Sequence, residues 1–113
     1  MGTLLRVMID SSYVPASETV AYTAPLTPKT RAQIAKCTVY NSSGSAVLYS
    51  VRLVPYGTAL GSPWFCRVYS IPAGETETIH HIMGHLLEPG GYISDFAATA
   101  SVLVRRISGY EVT

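Results

Sequence analysis

Three histidines fall close together, His80, His81 and His85, with Glu77 just ahead of them. On a helix, Glu77, His81 and His85 would recur at i, i+4 and i+8 and share one face. Such a face can hold zinc. On a strand, His80 and His81 point to opposite sides and the cluster dissolves. No second ligand set with metal spacing accompanies it, so no metal site is expected. Hydrolytic chemistry needs a nucleophile, a base and an orienting group held together. The chain has no Gly-x-Ser-x-Gly elbow. Its carboxylates, Asp10, Glu18, Glu75, Glu77, Glu88, Asp95 and Glu111, are scattered. Gly90-Gly91 follows a proline as a turn and does not open a helix, so it is no phosphate loop. The expectation is a protein that is not an enzyme, with no catalytic residues and no cofactor.

Composition narrows the alternatives. The 113 residues fit one domain. Charged residues are only 13% of the chain, about half the usual ~25%. A small domain with so few charges points to a surface partly covered by partners. The net charge is +1, and a nucleic-acid binder would show a basic stripe. The one adjacent basic pair, Arg105-Arg106, would face opposite sides of a strand. No apolar run approaches the roughly 18 residues of a membrane span, and the N-terminus lacks a secretory pattern. Neither nucleic acid nor membrane is therefore expected as a partner. Cys37 and Cys66 sit inside apolar segments and read as buried free thiols.

The elements that would carry these residues are short and β-rich. Segments near Thr19–Thr23, Ile34–Tyr40, Val47–Val54, Phe65–Ile71, Tyr92–Ala98 and Val102–Ile107 alternate with Pro-, Gly- and Ser-containing turns. That spacing suits a small β-sandwich or barrel. We expect an all-β chain, a single antiparallel β-sandwich of jelly-roll type over residues 18–113. Period two places Ala35, Cys37 and Val39 on one face, and Val47, Tyr49, Val51 and Leu53 on another inward face. Glu75–Leu87 is ambiguous. A strand to about Ile82 followed by a buried loop is expected, with a short helix as the alternative. Gly109 marks a bulge or bend.

Residues 1–17 form a separate unit, either a first strand or an extended arm. Leu4, Leu5, Val7, Met8 and Ile9 are apolar and must dock somewhere. The eight tyrosines suit half-buried strand positions and protein interfaces. The candidate interface residues are accordingly Leu4, Leu5, Val7, Met8, Ile9, Tyr13, Tyr56, Trp64, Phe65 and His85.

Several motifs in fixed order carry a resemblance. Tyr22-Thr23-Ala24-Pro25 is followed by Arg31 through Asn41, Leu53-Val54-Pro55, Ile71-Pro72-Ala73-Gly74-Glu75-Thr76, Leu87-Glu88-Pro89-Gly90-Gly91 and Arg106-Ile107-Ser108-Gly109-Tyr110-Glu111. Over Tyr22–Thr113 this order resembles small virion structural proteins of tailed bacteriophages. The resemblance implies a capsid decoration, or cement, protein on the capsid exterior, made in the bacterial host cytoplasm. Its implied partners are the major capsid protein and copies of itself, as a dimer or trimer. The alternative is a head-fibre or tail-fibre module that binds a host receptor or surface glycan.

Overall fold

The computed structural model describes residues 2–61 and 65–113, and of Cys66 the backbone alone. The strands are β1 (Thr3–Tyr13), β2 (Thr19–Thr23), β3 (Arg31–Asn41), β4 (Val47–Val54), β5 (Cys66–Ile71), β6 (Thr76–Thr78), β7 (Leu86–Leu87), β8 (Tyr92–Ala97) and β9 (Leu103–Val112). One sheet has the order β1-β9-β3-β6, with β7 also pairing β3; the other has the order β2-β8-β4-β5. All pairs are antiparallel. We call these sheets A and B. With the two-residue β7 set aside, this is the strand order of an eight-stranded jelly roll.

Period-two patterning builds the core between the sheets. β4 sends Val47, Tyr49, Val51 and Leu53 inward, where they meet Ile93 and Ala97 of β8 and Leu103 and Ile107 of β9. In β3 the alternation changes phase. Ala32 and Ile34 are buried before a register shift at Ala35, and Cys37, Val39 and Asn41 after it. An inserted residue flips every later side chain to the other face. Ala35 is therefore only half-buried, and Ile34 takes the inward place expected for it.

The same shift explains Glu75–Leu87. β6 pairs with Thr38–Tyr40 and β7 with Ala32–Gln33, so the gap between them spans the bulge. A continuous strand to Ile82 has no straight edge to follow. The chain instead makes one 3-10 turn at His80–Ile82. Backbone bonds from Ile79 to Cys37 and between Ile34 and both Gly84 and His85 hold it to β3. Gly84 takes φ +85°, a conformation that other residues rarely adopt.

Residues 3–13 are an edge strand along the whole of β9, with register shifts after Val7 and after Ile9. Ile9 is buried in the core, which removes it from the candidate interface. β9 runs unbroken through Gly109, and the irregularities lie on its neighbours. A Cβ at Gly109 would fall 2.0 Å from the Gln33 carbonyl oxygen and 2.8 Å from Met8 Cε.

Candidate assembly surface

The interior holds polar groups that resemble a reactive centre but are mutually saturated. Arg105 of β9 donates from Nε to Asp95 Oδ2 (2.8 Å) and from Nη2 to Asp95 Oδ1 (3.2 Å). Tyr49 of β4 donates to the same Asp95 Oδ2 at 2.8 Å. Arg105 Nη1 reaches Ser12 Oγ of β1 at 2.7 Å. This pair joins sheet A to sheet B with almost no exposure on either side. Burial, and after it the Asp95 charge, raises the Tyr49 phenol well above its ordinary value. The same two causes, offset by Arg105, push the Cys37 thiol up to about 12. A thiol so held is inert.

Two further ties use Glu18 and Glu111. Glu18 accepts from Arg52 Nη1 (2.8 Å) and from Ser94 Oγ (2.7 Å). Glu111 accepts from the Tyr22 hydroxyl and lies 3.7 Å from Arg6 Nε. Burial, reinforced by that carboxylate, raises the Tyr22 phenol. Among the described residues no buried side-chain polar atom lacks a partner. Period two held the signal for the burial of Asp95 and Arg105, though not for their pairing. Asp95 shares its parity with Ile93 and Ala97, and Arg105 shares its own with Leu103 and Ile107. Reading the carboxylates as scattered missed them.

The histidines do not converge. His81 Nδ1 lies 2.7 Å from the Tyr69 hydroxyl. The His85 ring sits 4.8 Å from that of Phe65. His80 is exposed. Among the described residues no three His, Cys, Asp or Glu side chains form a group able to hold a metal ion. The shallow cleft at Leu53, Pro55, Leu86, Leu87, Glu88 and Gly91 has about 190 Å³, below the roughly 300 Å³ at which small-molecule sites begin. Among the described residues no helix is long and apolar enough to cross a membrane.

What the fold does assemble is an apolar end. Strand directions bring the paired termini, the loop before β3, the loop after β4 and the segment around β7 to one end of the sandwich. Exposed there are Leu4, Leu5, Leu26, Tyr56, Leu60, Phe65, Leu86 and Val112. Leu26 and Tyr56 both close over Gly90, where a Cβ would come within 2.6 Å of each. The opposite end carries the loops around Ser17, Ser43, Gly74 and Thr99, which are small and polar. Of the sequence candidates, Leu4, Leu5, Tyr56, Phe65 and His85 share the apolar end. Val7 lies further along β1, Met8 is half-buried against Gly109, and Tyr13 is exposed at the far end of β1. Trp64 lies outside the described residues.

No protein-family model and no curated protein matches the chain. Among solved structures, a chain from Bacillus endospore appendages, described as a novel family of disulfide-linked pili, is similar to it. The TM-score is 0.57 at 10% identity, covering 98% of this chain and 88% of that one. At that identity the likeness speaks for the fold alone, a β-sandwich of two antiparallel sheets.

Proposed function

We propose that this chain is a structural subunit of a tailed-bacteriophage virion, a capsid decoration protein that binds the major capsid lattice and stabilises it. The observation that carries the reading is the division of the molecule. Among the described residues its interior polar groups are satisfied within the fold, while Leu4, Leu5, Leu26, Leu60 and Leu86 gather with Tyr56 and Phe65 as an exposed cluster at one end. A protein that acts by attachment needs that end and no reactive centre. The ordered motifs from Tyr22 to Glu111 add the virion context. Burial of several such ends on one lattice would gain from effective concentration.

The test is addition of the purified chain to expanded capsids that lack it. The expected result is saturable binding with a raised capsid melting temperature. Binding to host cells with capsid stability unchanged would favour the fibre module instead. A second reading comes from the structural likeness over nearly the full chain: a subunit of a pilus-like appendage. Filaments of the purified chain alone, with no affinity for capsids, would favour that reading. Cys37, buried within the core, would not supply a linking thiol.

A further inference from the structure

β1 ends sheet A, and among the described residues nothing pairs with its far side. The register shows which of its groups are free. Gly2 and Thr113 exchange both backbone hydrogen bonds, at 3.3 and 3.0 Å. Bonding alternates along an antiparallel ladder. Leu4 opposite Glu111 and Arg6 opposite Gly109 therefore aim their N–H and C=O groups at β9. Thr3, Leu5 and Val7 aim theirs away from the sheet. Edge strands are usually blunted by bulges, prolines or charges. Here the first bulge comes only after Val7. The one charge in Thr3–Val7, Arg6, already has Glu111 beside it.

An antiparallel edge is its own complement. With a twofold axis through Leu5, Leu5 faces Leu5 of a second copy and Thr3 faces Val7. All three outward residues in each copy then find partners. Arg6 falls opposite Leu4, so no like charges meet across the junction. An axis through Val7 would drive the pairing into the irregular stretch, whereas the Leu5 register keeps the regular segment whole. Leu5 is also 70% exposed. It stands beside Tyr110 on the outer face of sheet A, as Thr3 stands beside Val112. The axis thus joins the exposed apolar rows of both copies.

We propose that two copies of this chain pair β1 to β1, antiparallel about Leu5, and so join sheet A of each into one continuous sheet. Five residues per copy form a small contact against the roughly 1,200 Å² of a stable interface, so the pairing is reversible and concentration-dependent. The proposal deepens the self-association part of the particle reading without requiring a capsid. A dimer that ignores capsids would sink only the decoration reading. A strict monomer that binds capsids would sink only this one.

The test uses the full chain in a concentration series by light scattering. Mass is expected to rise toward twice that of the chain. Leu5→Lys sets like charges on the axis and should weaken dimerisation at least about tenfold. Its thermal unfolding in dilute solution should stay unchanged. In a Cys66→Ser background, Leu5→Cys should give a covalent dimer on mild oxidation, while the background itself and Leu48→Cys, at an exposed position on sheet B, should not. A wild-type chain that stays monomeric to its solubility limit overturns the proposal. So does a dimer indifferent to Leu5→Lys, or cross-linking by Leu48→Cys as readily as by Leu5→Cys.

Discussion

Gly109 lets three strands lie where only two would otherwise fit. With the Gln33 carbonyl 2.0 Å from its would-be Cβ, Gly109→Ala must push β3 away or break the ladder. We expect a loss of about 3 kcal/mol or more in denaturant unfolding, the upper range for overpacking. At Asp95 the penalty is electrostatic. Asp95→Ala leaves the Arg105 guanidinium buried without its counter-charge and should cost about 3–5 kcal/mol. Replacing Asp95 and Arg105 together by apolar residues should cost less than the single change, a comparison that equilibrium unfolding of the three variants decides. Gly109 was visible in the sequence as an irregularity within an apolar strand, although not what it makes room for. Asp95 read as one of several scattered carboxylates and Arg105 as one of an adjacent basic pair, because the contact that joins them crosses between sheets.

The elements differ in how firmly they are held. β1 is anchored in its second half by Ile9 in the core and by Ser12 under Arg105. Its first half rests on backbone pairing to β9 and on the Arg6–Glu111 contact. Removing residues 2–7 should leave a folded chain, whereas removing residues 2–13 should abolish the cooperative transition. Circular dichroism during thermal unfolding separates the two, and a folded product of the longer deletion would mean that β1 is dispensable to the sandwich. The sequence could not choose between strand and arm for this segment, since its apolar run fits either. The Glu75–Leu87 stretch misled for a related reason. Its own residues favour extension, but the partner edge on β3 is interrupted at Ala35.

For the whole molecule, three weakly acidic groups shielded from water set the response to alkali. Cys37, Tyr49 and Tyr22 all hold their protons more tightly folded than unfolded. Below the ordinary thiol and phenol values, about 8.5 and 10, both states are protonated and the stabilisation is fully present. As pH rises past those values the unfolded chain releases protons first, so stability falls. The unfolding midpoint should decline from about pH 9 upward, and Cys37→Ala should remove the earliest part of that decline. Denaturant titrations across this range test both statements. A thiol reagent at neutral pH should leave Cys37 untouched until the chain unfolds.

Alternation of apolar and polar residues determined much by itself: an all-β chain, the inward face of β4, and the turns between strands. Those are local properties, because a strand buries every second side chain whatever its neighbours are. The sheet to which each strand belongs, the Asp95–Arg105 tie, the bulges beside Gly109 and the apolar end came only with tertiary structure. Each depends on residues brought together from distant parts of the chain, and a jelly roll places successive strands mostly in opposite sheets. Neighbours in sequence therefore say little about neighbours in space.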